Sequence, residues 1–84
     1  MDVTVYTKPN CQPCRATKRW LDERGIDFTE ADATEPGNLA AITALGHMQA
    51  PVVIVAPNGV GSEVHWSGFN PVELDRHLAP VGAR

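Results

Sequence analysis

The sequence predicts an α/β fold in which a four-stranded mixed sheet is flanked by three helices. Strand-like and helix-like patterns follow each other in the order β-α-β-α-β-β-α along the chain. The length of 84 residues leaves room for one hydrophobic core only, so residues 1–84 are expected to form a single domain. The first β-α-β unit is expected to be parallel, with a right-handed crossover.

Hydrophobic periodicity and turn residues predict where each element lies. The strands are predicted at residues 2–7, 26–31, 52–55 and 63–66. The helices are predicted at residues 11–24, 38–45 and 71–78. Gly25 and Gly46 follow the last periodic residues of the first two helices, where a left-handed cap favours glycine. Asn70 before Pro71, with an acidic residue three positions after the asparagine, indicates the start of the last helix.

The apolar pattern also predicts the core. The run at residues 52–55 is continuously β-branched, as in a strand buried on both faces. Phe69 is expected to lie in the core, and Trp20 is expected to be structural. The helix residues expected to face inward are Ala16, Thr17, Trp20, Leu21, Leu39, Ile42, Leu45, Leu74 and Leu78.

Composition excludes several classes of protein. The formal charge is −3 and the basic residues are scattered, which argues against a nucleic-acid-binding surface. No apolar run approaches the roughly 20 residues that a membrane helix needs. The start Met1-Asp2 lacks the basic and apolar regions of a signal peptide, so we expect a cytoplasmic protein. We also expect a monomer.

The segment Cys11-Gln12-Pro13-Cys14 carries the chemistry. It opens the first helix, where free N–H groups and the helix dipole favour a thiolate. If Cys11 is the N-cap, its sulfur accepts a hydrogen bond from the N–H of Cys14, because Pro13 has none. The positive charges expected nearby are Lys8 and Arg15.

This arrangement predicts dithiol exchange, with Cys11 attacking a disulfide and Cys14 resolving the mixed disulfide. A disulfide between cysteines this close in sequence would constrain little of the unfolded chain and would add little stability. A purely structural disulfide is therefore a poor explanation for the pair. The alternative is that both cysteines are buried, unreactive thiols with no chemical role. No metal site is predicted, since structural zinc takes about four ligands and His47, His65 and His77 lie in separate elements.

Two further segments are candidates for contact with a partner. Pro51 begins a strand, and its peptide bond with Ala50 is expected to be trans on frequency alone, since only about 5–6% of such bonds are cis. The aromatic corner at residues 65–69 is the second segment, and Trp66 fits either the core or an apolar docking rim. The candidate partner-binding residues are Lys8, Gln12, Pro13, Ala50, Pro51, Trp66, Ser67, Gly68 and Phe69.

With these residues in view, the chain resembles the NrdH redoxins, glutaredoxin-like proteins that behave like thioredoxins. The similar segments are 5–8, 14–19, 24–28, 44–46, 49–53 and 66–69. The resemblance implies a thioredoxin/glutaredoxin fold, Cys11 as nucleophile, Cys14 as resolving thiol and Pro51 in the cis form. It also implies no bound cofactor, electrons from NADPH through thioredoxin reductase, and class Ib ribonucleotide reductase as the target.

The chain departs from that family's pattern at three places. Gln12-Pro13 replaces the usual pair between the cysteines, Asn70 and Val72 replace an arginine and an aspartate after the aromatic corner, and the segment 56–62 predicts a longer hairpin. The alternative functions are a glutathione-dependent glutaredoxin, an arsenate-reductase-like enzyme and a redox-responsive binding module. The arsenate-reductase alternative is disfavoured because only two arginines follow position 24.

Overall fold

The computed structural model describes residues 2–56 and 63–78. Its elements are β1 Asp2–Thr7, α1 Gln12–Glu23, β2 Thr29–Asp32, α2 Pro36–Ala44, β3 Val52–Ala56, β4 Val64–Ser67 and α3 Pro71–Leu78. The strands form one sheet in the order β2-β1-β3-β4. β1 and β2 are parallel, whereas β3 is antiparallel to β1 and to β4. This is the predicted mixed sheet of four strands with three helices.

The sheet has a hydrophobic layer on each face. The larger layer, under α1 and α3, contains Val3, Val5, Trp20, Leu21, Val53, Val55, Trp66, Leu74 and Leu78. The smaller layer, under α2, contains Ala33, Ile42 and Val52, with Tyr6 and Ile54 packed against them. Since β3 contributes to both layers, the prediction of a strand buried on two faces is confirmed. Burial of each such Val, Leu or Ile side chain stabilises the fold by about 1.5–3 kcal/mol.

The predicted helix ends are confirmed by their caps. Gly25 has φ 66° and Gly46 has φ 92°, both in the left-handed region. The N–H of the residue after each glycine bonds back to the helix, from Ile26 to the carbonyl of Leu21 at 3.0 Å and from His47 to that of Ile42 at 3.1 Å. Both helices therefore end in a Schellman motif. At the start of α3, Asn70 Oδ1 accepts from a backbone N–H at 3.1 Å, as predicted.

Three elements differ most from the sequence-based prediction, whereas α1 and β3 differ from their predicted ranges by one residue at one or both ends. β2 covers residues 29–32 instead of 26–31, because Ile26 and Phe28 pack against the core from the loop after α1. β4 is displaced by one residue from the predicted 63–66. α2 begins at Pro36, capped by the carboxylate of Glu35, and ends at Ala44. The turn of the β3–β4 hairpin, including its predicted extra length, lies outside the described residues.

Two predictions about the core are wrong. Of the three α2 residues expected to face inward, Ile42 is buried, but Leu39 and Leu45 are 50% and 41% exposed. The reason is that Leu45 is the C-cap, where the chain leaves the helix, and Leu39 borders an open groove. Phe69 is 40% exposed, since it lies in the bend between β4 and α3 and not under either helix.

Within the described ranges, none of the helices has the length and apolar character needed to cross a membrane.

Candidate active site

The dithiol lies at the N-terminus of α1, directly after β1. Asn10, with φ 56°, turns the chain out of the strand. Cys11 is then the N-cap in an extended conformation, and its Sγ accepts the N–H of Cys14 at 3.1 Å. Gln12 and Pro13 occupy the first two helical positions, and both side chains are exposed. The predicted cap geometry is confirmed, and the missing N–H of Pro13 leaves Cys14 as the donor.

The two cysteines are joined by a disulfide in this structure. Their Cα atoms are 5.2 Å apart, well inside the usual range of about 4.4–6.8 Å. Cys11 is 5% exposed and Cys14 is 2% exposed, so burial hardly distinguishes them. The difference between them is one of hydrogen bonding, since the sulfur of Cys11 is the one that caps the helix.

The segment directly before β3 lies next to the dithiol. Cys11 Sγ lies 3.8 Å from the carbonyl oxygen of Ala50. The Ala50–Pro51 bond is cis, as the family resemblance implies and against the expectation from frequency alone. The carbonyl of Pro51 accepts the N–H of Gly68 at 2.8 Å. Hydrogen bonding thus links the aromatic corner to Pro51, and the neighbouring Ala50 carbonyl lies next to the sulfur of Cys11.

The predicted partner-binding residues divide by exposure. The exposed ones are Lys8, Gln12, Pro13 and Phe69, and the half-buried ones are Ala50, Ser67 and Gly68. Pro51 and Trp66 are buried. The Trp66 ring faces the core, stacked on His77 with 5.8 Å between ring centroids and an interplanar angle of 19°. Trp66 thus presents little surface to a partner, and its binding role stays a prediction.

A polar groove borders the dithiol on the β2 side. It has a volume of about 620 Å³, and both cysteines line it. Inside it the Thr7 hydroxyl donates to the Glu30 carboxylate at 2.7 Å, and Lys18 Nζ pairs with the same oxygen at 3.0 Å. The Thr7 hydrogen bond, followed by the Lys18 contact, holds the pKa of Glu30 below its usual value. No local pattern indicates this cluster, because its members lie in three separate elements.

An apolar groove borders the segment before β3. It has a volume of about 500 Å³, and its lining includes Lys8, Leu39, Ile42, Met48 and Ala50. Met48 is 96% exposed and lies two residues before Ala50. Periodicity could not find this surface, since Met48 belongs to no helix or strand. The position of Met48 directly before Gln49-Ala50-Pro51 is the one sequence feature that could have indicated this surface.

Comparison with known proteins identifies the family. The glutaredoxin family profile matches residues 3–60, more than half of the chain. This chain belongs to the glutaredoxin family. Within that family it is 39% identical to the glutaredoxin-like protein NrdH of Escherichia coli K12, over 99% of this chain and 98% of that one. It is 37% identical to NrdH of Lactococcus lactis subsp. cremoris, over 86% and 93% of the two chains.

The solved structures agree with the sequence relatives. The NrdH-redoxin of Escherichia coli superposes with a TM-score of 0.82 at 38% identity, covering 96% of this chain and 99% of that one. That protein is described as glutaredoxin-like with a thioredoxin-like activity profile. This glutaredoxin-family chain is therefore an NrdH-type thiol–disulfide oxidoreductase that carries its redox equivalents on a cysteine pair, Cys11 and Cys14.

Elsewhere in this NrdH-type protein, two histidines predicted to lie in separate elements are in contact. His47 Nε2 and His65 Nδ1 are 2.7 Å apart. Burial, followed by the charge of His65, lowers the pKa of His47. Among the described residues, no three His, Cys, Asp or Glu side chains form a group that could hold a metal ion.

Proposed function

We propose that this protein reduces disulfides in a partner protein, with Cys11 as the attacking sulfur and Cys14 as the resolving one. The observation that carries the proposal is the hydrogen bond from the Cys14 N–H to Cys11 Sγ at a helix N-terminus. That position favours a thiolate because the helix dipole and the free N–H groups both stabilise negative charge. Cys14 has no equivalent helix end to cap.

The reaction balances as two successive thiol–disulfide exchanges. The Cys11 thiolate attacks one sulfur of the partner's disulfide, forms a mixed disulfide and expels the other sulfur as a thiolate. The Cys14 thiolate then attacks Cys11 Sγ, which releases the second partner thiolate and leaves the Cys11–Cys14 disulfide. Two electrons pass to the partner, and its two thiolates take protons from solvent. The bonded pair in this structure corresponds to the oxidised end of the cycle.

The partner's disulfide-bearing segment docks over Cys11 in this proposal. The Ala50 carbonyl lies beside the sulfur and offers an extended peptide a hydrogen-bond acceptor. Lys8, Gln12, Pro13 and Phe69 are exposed. The N–H of Gly68, which follows the last β4 residue Ser67, donates to the Pro51 carbonyl. Val72, where the family commonly has an aspartate, is also exposed, so this corner is more apolar than the usual pattern.

The electron donor and the target are the second part of the proposal. We propose thioredoxin reductase, supplied by NADPH, as the donor and class Ib ribonucleotide reductase as the target. The thioredoxin-like activity profile of the Escherichia coli NrdH-redoxin supports the donor. A cytoplasmic location belongs to the same proposal, because reducing compartments keep such thiols available for exchange. The protein itself would act as a monomer without a prosthetic group.

The test is NADPH consumption coupled to reduction of the ribonucleotide-reductase disulfide. The protein is supplied in parallel with thioredoxin reductase or with glutathione and glutathione reductase. Turnover with thioredoxin reductase alone supports the proposal, and insulin as a second substrate shows how broad the target range is. Cys11→Ser serves as the matched control, because it keeps the fold but lacks the attacking sulfur.

The rival function is a glutathione-dependent glutaredoxin, which the match to the glutaredoxin profile also allows. It requires turnover with glutathione and a stable mixed disulfide between glutathione and Cys11. That outcome would overturn the proposed donor while leaving the dithiol chemistry in place. Failure to turn over with either donor would favour a redox-responsive binding module.

A further inference from the structure

The contact between His47 and His65 lies outside the proposed dithiol chemistry. The two rings are nearly perpendicular, at 89°, with centroids 4.9 Å apart, and the facing nitrogens are 2.7 Å apart. At this distance one ring nitrogen donates its proton to the lone pair of the other. At least one imidazole is therefore neutral, which is the form that binds metals.

The backbone fixes both histidines. His47 is the last residue of the Schellman motif that ends α2, with its N–H bonded to the Ile42 carbonyl. His65 lies in β4, paired opposite Ile54 on the sheet face that α2 covers. The two rings therefore meet because a helix end and an edge strand meet. Metal-coordinating side chains that are held on rigid elements lose little conformational freedom when the metal binds.

We propose that His47 and His65 bind one divalent transition-metal cation of the zinc(II) or copper(II) class. Imidazole nitrogen suits these ions, and zinc–nitrogen bonds of about 2.0–2.1 Å at a tetrahedral angle place the two nitrogens about 3.3 Å apart. Starting from 2.7 Å, the two nitrogens need to separate by about 0.6 Å, and the rings need to turn so that both lone pairs point at the same ion. The cation takes the place of the proton between the rings, and the imidazole that gives up this proton takes one from solvent on its other ring nitrogen, so that both histidines bind as neutral ligands.

Water completes the coordination, since His65 is exposed and His47 is half-buried. With two protein ligands the site is reversible and weaker than a structural zinc site with four. Its position has a structural consequence. His47 lines the apolar groove together with Met48 and Ala50. A bound cation would connect the segment before Ala50, through His47, to the edge strand β4, through His65. It would thereby restrict the motion of one side of that groove.

The test uses the disulfide form of the full chain, because free thiols would compete for the metal. Zinc chloride is titrated at neutral pH while the imidazole resonances of the three histidines are followed by NMR. We expect His47 and His65 to shift together and saturate at one equivalent, while His77 stays in place. Copper(II) is expected to displace zinc, following its higher rank among divalent metals.

Variants assign the site. His47→Gln and His65→Gln should each weaken zinc binding by at least about tenfold, since even losing an outer partner of a metal ligand costs that much. His77→Gln, on α3, is the matched control and should leave the affinity unchanged. The backbone amide spectrum of each variant checks the fold, and His65→Asn offers a second change at the exposed strand.

Three results would overturn the proposal. The first is no shift of the His47 and His65 resonances at zinc concentrations far above that of the protein. The second is wild-type affinity in folded His65→Gln or His65→Asn. The third is an equal response at His77, which packs near Glu73 on its own helix and would indicate non-selective binding. Because the cysteines stay bonded throughout, each result is independent of the proposed redox function.

Discussion

At the scale of single residues, three atoms define the dithiol environment. Cys11 Sγ accepts the Cys14 N–H and lies 3.8 Å from the Ala50 carbonyl oxygen. The cap stabilises a thiolate at Cys11, whereas the carbonyl dipole points its negative end towards the sulfur. A carbonyl there suits the protonated thiol or an incoming peptide N–H better than the anion. A partner whose N–H donates to the Ala50 carbonyl would therefore weaken the repulsion between this oxygen and the Cys11 thiolate as it docks.

A pH-dependent contribution to stability belongs to Glu30 in the polar groove. Its pKa is lowered, so its ionised form favours the folded state above the ordinary carboxyl pKa of 4.5, and this contribution is lost as the pH falls through the lowered value. Thr7→Val removes the hydroxyl but keeps the side chain's shape. We expect the Glu30 pKa, measured by NMR titration, to rise towards its ordinary value in this variant.

Thr4→Val is the control for that change. Thr4 is on the same strand but pairs with Ile54, whose side chain is on the opposite face of the sheet from Thr7. The Glu30 titration should be unchanged in this variant. An unshifted titration in Thr7→Val would mean that the hydroxyl does not stabilise the carboxylate, and that Lys18 alone is responsible.

At the scale of helices and strands, boundaries were predictable where the signal is local. Gly25, Gly46 and Asn70 mark their helix ends correctly, because a left-handed glycine and a side-chain cap depend on a few adjacent residues. The predicted start of α2, at residue 38, is two residues later than the observed start at Pro36. Pro36 at the first helical position was a usable signal, but the Glu35 cap is a less common choice than Asn, Asp or Ser.

Gly46→Ala tests how much the end of α2 depends on a left-handed residue. A Cβ at this position would meet nothing within 4 Å, so the cost is conformational. We expect the free energy of unfolding, measured by urea denaturation, to fall by about 1 kcal/mol. Gly46→Asn should lose less, because asparagine tolerates this region better. Equal stability of the alanine variant and the wild type would contradict the cap's role.

At the scale of the whole molecule, the fold and the dithiol were predictable, but the surfaces around the dithiol were not. The order of elements gives the sheet, and Cys11 and Cys14 are close in sequence. The Thr7–Glu30–Lys18 cluster and the histidine pair depend on contacts between separate elements, which no local pattern encodes. The resemblance, and not the residue pattern, supplied the cis bond before Pro51.

Phe69 distinguishes a core role from a surface role. As a core residue it would cost about 3–5 kcal/mol on truncation, but its 40% exposure predicts a loss near 1 kcal/mol for Phe69→Ser. Docking over Cys11 then predicts a higher KM for the partner disulfide, with kcat nearly unchanged. Leu74→Ala is the contrasting core variant and should lose about 2–5 kcal/mol. A loss of stability of that size in Phe69→Ser would contradict the surface role and indicate that Phe69 is a core residue.

The central claim is that Cys11 attacks and Cys14 resolves, and trapping the intermediate tests it most directly. The reduced Cys14→Ser variant is mixed with the partner carrying its disulfide, and the products are mapped by mass spectrometry. We predict a stable mixed disulfide through Cys11, because no second thiol is present to release it. The reduced Cys11→Ser variant should form none. A mixed disulfide through Cys14 in that variant, or none in Cys14→Ser, would contradict the assigned roles.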